Sequence, residues 1–445
     1  MGTATLMLIL FSAIALIIFL IMKVRLHAFV TLVIACMYVG FVTGMPLAKI
    51  CASIEAGMGG TLGFLATILG LGTILGKMLE VSHGAQRLAR TMVGALGAQR
   101  AGWAMMIVGF IAGIPVFFQV GFVLLIPLIF SIAKETGLSI VEIGIPTTIA
   151  LITVHCILPP HPAAMAIAGI LKADVGRVII YGIICGFPAA IVAGPLWAKL
   201  ISKRFEINLP EKYAKEETVT EDKMPGFGIT LFTILLPLMI MVGKTIIELN
   251  SPKDAAYMSA VNFIGNPITA LLISVFVAYY TLGLARGFNM KDILNFTDSC
   301  FGPVAGILLV IGGGGAFNKV LLDSGLGIQM GKVLNGLDMS PLILAWLVAA
   351  IMRFSVGSAT VAMITAVGIV MPVLAAHPNL DPALVAVAVG AGAIGFSHVN
   401  DSGFWIVREF FGMSVTDALK SYTVSTCIAG FIGLLTTLLL AQIVG

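Results

Sequence analysis

Long apolar runs, each close to the length of a membrane-spanning helix, alternate with short polar segments along most of the chain. Residues 3–22 carry no charged side chain, and roughly 20 such residues span a hydrocarbon core of about 30 Å. The runs at 27–44 and 60–79 have the same character. The pattern predicts an all-α polytopic membrane protein, in which the first run is a spanning helix and not a cleaved signal.

One longer run contains polar and cyclic residues that a single spanning helix does not accommodate. Residues 101–133 are uncharged but include Pro115 and Gln119. The run is too long for one helix, and each arm is too short to cross alone. It predicts a re-entrant hairpin with its tip near residues 113–121.

A second long run, residues 140–171, is broken at HCILPPHP (155–162). Two adjacent prolines remove two amide donors and interrupt the helical hydrogen bonds, so this span is predicted to be discontinuous. Residues 177–200 supply one further span. The first half therefore comprises about five spans, one of them discontinuous, and one re-entrant hairpin.

The longest polar stretch, residues 203–226, lies near the middle of the chain and is typical of a solvated linker. The segments on its two sides match in one register, in which GTLGFLATILGLGTILGK from Gly60 parallels GPVAGILLVIGGGGAFNK from Gly302. A chance match between apolar runs would align Leu and Ile, not rarer residues. The rarer residues that align are Trp103 with Trp346, His155 with His398, and Asp174 with Asp417.

The repeat predicts three units: an N-terminal repeat at 1–202, the linker at 203–226 and a C-terminal repeat at 227–445. Because an odd number of spans precedes the linker, the second repeat must enter the membrane inverted. Its hairpin, at residues 342–376, then opens from the opposite side. Placing the linker and the 80–100 loop on one face collects most of the 25 Lys and Arg residues there. The linker is therefore predicted to be cytoplasmic and both termini extracytoplasmic.

Composition supports a membrane protein, since hydrophobic residues make up 59% of the chain and charged residues 10%. A soluble fold cannot bury that much apolar surface. The net charge of +4 reflects basic loops on one membrane face and predicts no nucleic-acid partner. The enzyme motifs HExxH, Walker A and GxSxG do not occur, and we expect no cofactor or metal. A gradient-driven transporter is favoured, with an intramembrane enzyme that uses buried His and Asp, or a channel, as alternatives.

Broken backbone inside hydrocarbon is tolerated only where it is packed in protein or lines a polar cavity. The two hairpin tips and the two broken spans are therefore the predicted substrate site, and polar residues concentrate there. The residues expected to bind substrate are Gln119, His155, His161, Arg353, Ser358, Thr360, Asn400 and Ser402. Asp401, with His155, is expected to carry a driving proton.

Several of these residues have a structural interpretation as well. Arg353 lies in an apolar run, where a charge costs about 2.5–3.5 kcal/mol on insertion scales. Its planar guanidinium suits a substrate carboxylate, but it could instead pair with Asp401 and join two elements. Asp401 could cap the N-terminus of a half-helix, and His155 could be a structural histidine. The short hydroxyl and amide side chains suit a polyhydroxylated ligand or could satisfy freed backbone groups.

Four segments in combination resemble the gluconate:proton symporter, or gluconate permease, family. They are MGGTLGFLATILGLGTILGKMLE, HCILPPHPAAMAIAG, GSATVAMIT and SHVNDSGFW. The resemblance covers the chain from about residue 20 to the C-terminus. It implies an inner-membrane protein of the ion-transporter superfamily, with scaffold and transport domains that move as an elevator, assembled as a homodimer.

The resemblance also implies the transported substrates and the driving ion. Members of the family carry gluconate, related sugar acids or D-serine together with protons, and the favoured substrate here is a small sugar acid. The first half of the chain looks as much like the D-serine members, which makes D-serine the alternative. One position departs from the family, because FFQVGFVLLIP stands where relatives usually have FFEVGFVLLIP. Gln119 cannot take up a proton, which places coupling elsewhere or alters it.

Overall fold

The computed structural model describes residues 3–205, 224–252, 255–325, 339–399 and 401–444, and all regular elements within these ranges are helical. The helices of the first half are α1 (Thr3–Met22), α2 (Ala28–Val42), α3 (Leu47–Val81), α4 (Gly84–Leu96), α5 (Ala101–Ala112), α6 (Phe118–Thr136), α7 (Ile140–Ile157), α8 (Pro162–Ile170), α9 (Val175–Ile191) and α10 (Trp197–Ile201). Those of the second half are α11 (Phe227–Asn250), α12 (Met258–Ile264), α13 (Pro267–Ala278), α14 (Met290–Asp323), α15 (Pro341–Val356), α16 (Ala359–Ala376), α17 (Pro382–Ile394), α18 (Ser402–Phe410), α19 (Val415–Ala418) and α20 (Val424–Val444). Most of the 203–226 linker lies outside the described residues.

The order of these helices recurs in the two halves, as the sequence repeat predicts. Within the described ranges, eight helices are long and apolar enough to cross a membrane, or nine if α4 and α5, bent by 117°, form one span. The long helices α3 and α14 correspond, as do the hairpins α5–α6 and α15–α16 and the broken spans α7–α8 and α17–α18. An all-α membrane fold with paired hairpins and discontinuous spans is thus confirmed. The unit boundaries and the inverted insertion stay predictions.

Both hairpins turn where the sequence places their tips. The first turns at residues 113–117, and α4 packs against α6 as well as α5, so both arms return to the same end. The second turns at Gly357, whose φ of 76° is a left-handed conformation that glycine adopts without a Cβ clash. The span formed by α7 and α8 is broken at residues 158–161, where Pro159 and Pro160 lie. The predicted hairpin and discontinuous span of the first repeat are therefore present.

Two elements differ from the sequence-based expectation. The span predicted at 60–79 is part of the 35-residue helix α3. The first turns of α3 contain Lys49 and Glu55, so they do not belong to an uncharged apolar run and were not predicted as part of the span. At 1.5 Å per residue α3 is about 52 Å long, more than a bilayer core requires. The 80–100 loop contains the helix α4, which buries Leu88 and Ala89 on one face only. An amphipathic helix of this kind has no long apolar run to reveal it.

The two repeat-related helices α3 and α14 form the most extensive helix pair in the described structure. Glycines let their backbones approach, because a Cβ added at Gly57 would lie 2.5 Å from the carbonyl oxygen of Gly315. The flanking contacts are reciprocal: α2 packs on α14, and its counterpart α13 packs on α3. This exchange is what two repeats related by a two-fold axis produce.

The turn between α8 and α9 is anchored to the end of α11. Asp174 caps α9 by accepting from the Arg177 amide at 2.8 Å, and also accepts from Thr245 Oγ1 at 2.9 Å and Lys244 Nζ at 3.3 Å. Burial alone would raise the pKa of Asp174, but these three donors hold it below its ordinary value. The turn therefore lies at the same membrane face as the end of α11.

We expect Gly57→Ala to lower the thermal unfolding midpoint of the detergent-purified protein by roughly 5 °C, because the added methyl overpacks the α3–α14 contact. Gly59 is the matched control, since it lies on the same helix and nothing approaches within 4 Å of a Cβ there. Gly59→Ala should leave the midpoint unchanged or raise it. Equal midpoints for the two variants would show that α3 and α14 tolerate separation.

Candidate functional site

Three of the four breaks predicted from sequence, namely the two hairpin tips and the break before α18, meet at one cavity. It has a volume of about 420 Å³ and lies where the tips of both hairpins meet α7, the start of α18 and the middle of α14. Seven of the nine predicted site residues line it: Gln119, His155, Arg353, Ser358, Thr360, Asp401 and Ser402. Of the other two, His161 is buried outside the cavity wall, and Asn400 lies outside the described residues.

Three of the chain breaks start a helix at the cavity wall, namely α6 at Phe118, α16 at Ala359 and α18 at Ser402, and α2 also begins at the cavity, at Ala28. The first turn of a helix has amide N–H groups without an intrahelical acceptor and carries the positive end of the helix dipole. The N-terminus of α6 has no side-chain cap, and the Ser358 hydroxyl is 3.4 Å from the amide of Val361. Ser358 caps α16 and Asp401 caps α18, so of these three helices α6 alone lacks a side-chain cap. All three breaks place the positive end of a helix dipole at the cavity, an arrangement that favours an anion.

Arg353 and Asp401 form a buried ion pair that joins the second hairpin to the second broken span. One guanidinium nitrogen of Arg353 donates to Asp401 Oδ2, and the other donates to the carbonyl of Gly357 at 2.6 Å. Asp401 also accepts from the Ser397 hydroxyl and from the Gly403 amide at 2.9 Å, so it caps α18. Arg353 and Asp401 therefore make the structural contacts considered from the sequence: the pair joins two elements, and Asp401 caps the half-helix α18. Arg353 lines the cavity, and its Nε is buried and has no partner in the described structure.

His155 and His161 form a buried pair at the break between α7 and α8. Their ring centroids are 4.1 Å apart, and His155 Nε2 lies 3.3 Å from Thr360 Oγ1 on the second hairpin. His155 Nδ1 and both ring nitrogens of His161 have no partner among the described residues. His161 lies edge-on to Phe117, with no exposed surface. His161 therefore lies behind His155 and outside the cavity lining, and its role in substrate binding stays a prediction.

The remaining wall combines exposed polar groups with apolar surface. Gln119 and Ser402 are exposed at the first turns of α6 and α18. Phe118, Ile152 and Val310 supply apolar patches between them. A ligand that carries a charge at one end and both hydroxyl and C–H surface along its length fits this mixture.

Sequence reasoning missed His27, which lines the cavity where α2 begins. Its ring accepts from the Phe29 amide at 3.3 Å and caps α2. The side chain is exposed, so it lies at the mouth of the cavity rather than in its wall. The polar segment KVRLH, between the first two apolar runs, contains His27 and could have drawn attention to it. The neighbouring sequence does not indicate that this segment lies beside the hairpin tips.

We expect Arg353→Ala to destabilise the protein by about 3–5 kcal/mol, because Asp401 would be left as a buried charge without its cation. Combining Arg353→Gln with Asp401→Asn removes both charges and should recover most of the stability without recovering ligand binding. Thermal unfolding and isothermal titration measure the two effects separately. The exposed pair Arg408–Glu409, at 2.8 Å, is the control, and Arg408→Gln should change stability little. Unchanged ligand affinity in the double variant would reduce Arg353 to a structural role.

Comparison with known proteins places the chain in a family. The GntP family permease profile matches residues 4–444. The D-serine transporter DsdX of Escherichia coli K12 is 46% identical, with 97% of each chain covered. The gluconate permease of Pseudomonas aeruginosa is 44% identical over 95% of each chain, and the high-affinity gluconate transporter of E. coli K12 is 41% identical over 96% of this chain and 98% of its own.

Solved structures agree with the fold at lower sequence identity. The YdaH transporter of Alcanivorax borkumensis has a TM-score of 0.68 at 15% identity, covering 94% of this chain and 98% of its own. MtrF of Neisseria gonorrhoeae has a TM-score of 0.63 at 12% identity, covering 94% and 96%. Because the family and the relatives named above are permeases and transporters, the enzyme alternative falls away. The chain belongs to the GntP permease family and is a multi-pass membrane transporter.

Proposed function

We propose that the chain is a proton-coupled symporter of a small hydroxylated carboxylate, of which gluconate or a related sugar acid is the favoured substrate. The observation that carries the proposal is the convergence of three chain breaks, each of which starts a helix, and of the Arg353 guanidinium on one cavity. These groups suit a carboxylate. Ser358, Thr360 and Ser402 add hydroxyl groups that match those of a polyol chain. Relatives named as gluconate transporters, 41–44% identical, support the same class.

D-serine is the second candidate, favoured by the 46% identity to a D-serine transporter. An amino acid brings an ammonium group that needs a counter-ion. Among the described residues that line the cavity, Asp401 is the one carboxylate, and it already accepts from Arg353, Ser397 and Gly403. A sugar acid makes no such demand, so the cavity suits it better.

Coupling follows from competition for Arg353. A substrate carboxylate that binds the guanidinium draws it from Asp401. A buried carboxylate without its cation is costly to keep charged, and it neutralises by taking up a proton. The substrate anion and one proton then cross together without net charge. His155, which contacts the second hairpin through Thr360 and the first broken span through His161, is the relay that delivers the proton.

The architecture suggests which parts move. The hairpins and broken spans carry the cavity and form the transport domain, and the remaining long helices, including α3 and α14, form the scaffold. We place the protein in the bacterial inner membrane as a homodimer, with a cytoplasmic linker and extracytoplasmic termini. The basic residues of the linker and of α4 support this orientation.

Counterflow of labelled gluconate in proteoliposomes tests carriage, since a carrier exchanges substrate across the membrane without net reaction. Uphill uptake in an imposed pH gradient tests coupling. Asp401→Asn should retain counterflow and lose uphill uptake, because asparagine still caps α18 but cannot take up a proton. Asp381→Asn is the matched control, since Asp381 also caps a helix and pairs with an arginine, Arg177, at 3.2 Å outside the cavity. Intact pH-driven accumulation in the Asp401 variant would contradict its coupling role.

Gln119→Glu should increase the number of protons taken up per substrate molecule. The glutamine imitates a carboxylic acid that is permanently protonated, and a glutamate at this exposed position can bind and release a proton during each cycle. Proton flux on substrate addition to proteoliposomes measures the effect. Gln99→Glu, on the exposed turn before α5, controls for the added charge. Identical flux in the two variants would show that Gln119 belongs to the binding surface alone.

A further inference from the structure

A second cavity, of about 520 Å³, lies farther along α14 than the first. It is enclosed by α3, α14, the end of α8 and the turn that follows it. The first cavity reaches Val310 of α14 and the second begins at Gly315, roughly 8 Å farther along the helix axis. The two cavities are therefore neighbours along the same long helix.

The cavities face opposite ends of the transmembrane helices. The first includes His27 at the start of α2, next to the end of α1. The second includes Lys172 in the turn beside the end of α11, and Lys319 close to the end of α14. Ser53, near the start of α3, donates to Asp323 at 2.7 Å, which places that start at the same face. One cavity thus adjoins each membrane face.

An apolar cluster separates the two cavities. Phe117 lines the first cavity and Leu65 lines the second, and both belong to one buried cluster that also contains Met165, Ile311 and Ile364. Ile364 of the second hairpin is seated against α14, where a Cβ on Gly314 would lie 1.8 Å from its Cγ2. A polar solute in either cavity would have to cross this cluster to reach the other.

Polar groups in the second cavity are suited to an anion that also carries hydroxyl groups. Asn318 Oδ1 is buried and has no partner among the described residues, so it can accept from a ligand hydroxyl. Lys319 donates to Asp323 at 2.8 Å and is thereby neutralised. Lys172 forms no ion pair with any described residue and supplies the net positive charge. Its backbone is left-handed, with φ at 54°, a conformation that is strained for a residue with a Cβ.

We propose that this second cavity is a vestibule for the transported anion on the far side of the apolar cluster, where Lys172 holds the carboxylate and Asn318 accepts from a hydroxyl group. The proposal rests on the proposed function, because it takes the occupant to be the hydroxylated carboxylate carried by the first cavity. The vestibule raises the local concentration of the anion at that membrane face. The second cavity therefore changes the apparent affinity for the anion at that face only. The maximal transport rate is determined by the first cavity.

The test measures KM for labelled gluconate under counterflow in right-side-out and everted membrane vesicles, which present opposite faces to the label. Lys172→Gln combined with Asn318→Ala should raise KM about tenfold at one face, the scale of losing one charge-assisted hydrogen bond. KM at the other face and the maximal rate should not change. Lys291→Gln with Asn295→Ala, exposed residues at the opposite end of α14, is the control pair and should change neither. Restoring a cation with Lys172→Arg beside Asn318→Ala should recover most of the affinity.

Three outcomes would overturn the vestibule. KM that is unchanged at both faces, or raised equally at both, would show that the second cavity does not act on one side. An effect that occurs in proteoliposomes with phosphatidylglycerol but not in phosphatidylcholine alone would identify the occupant as a lipid headgroup. Absence of gluconate counterflow in the unmodified protein would instead refute the proposed function. Monodisperse elution of each variant from a size-exclusion column confirms that the variant is folded.

Discussion

The structure depends on one constraint, which is that backbone groups freed by a broken helix cannot be left in contact with hydrocarbon. In the span formed by α7 and α8, 94% of the 18-residue apolar stretch is accordingly buried within the protein. In the last span, which ends in α20, the buried share is 28%. Unbroken helices face the lipid and enclose the broken ones. The freed amides are then satisfied by side-chain caps or directed into the cavity. The need to shelter broken backbone and the ability to bind an anion therefore have the same origin.

The Arg353–Asp401 pair shows how closely stability and binding are connected in this arrangement. Both residues are buried, and each makes hydrogen bonds that close a chain break, to Gly357 on one side and to Gly403 on the other. Apolar replacements of such a pair can be neutral or stabilising, so stability alone does not require charged residues here. A cation beside three helix N-termini leaves a surplus of positive potential in the cavity. In the function we propose, the pair keeps a cation at the cavity for which a substrate anion can compete with Asp401.

Much of the architecture could be predicted because its signals are local. The Pro159–Pro160 break, the uncharged run around Pro115 and a cation inside an apolar hairpin are each visible within a few residues, and together they place most of the site. Contacts between distant segments have no local signal. Nothing in the sequence distinguishes His155, which lines the cavity, from His161, which supports it. The same holds for Ser397 as a partner of Asp401 and for the approach of Gly57 to Gly315.

The two repeats share a pattern but differ in conformation, and that difference bears on how a carrier alternates. In the second repeat the hairpin helix α16 packs along α14, whereas in the first repeat α6 makes at most marginal contact with α3 among the described residues. Conversely, α8 packs on α3, while its counterpart α18 has no comparable contact with α14. If two related repeats can each adopt either packing, exchanging the two conformations yields a second state with the same kinds of contact. Such a state would resemble the first in energy and open to the opposite face, so alternation would require only a modest driving force. The apolar cluster between the cavities would then be rebuilt on the other side of the substrate, because the same helices α3 and α14 line both routes.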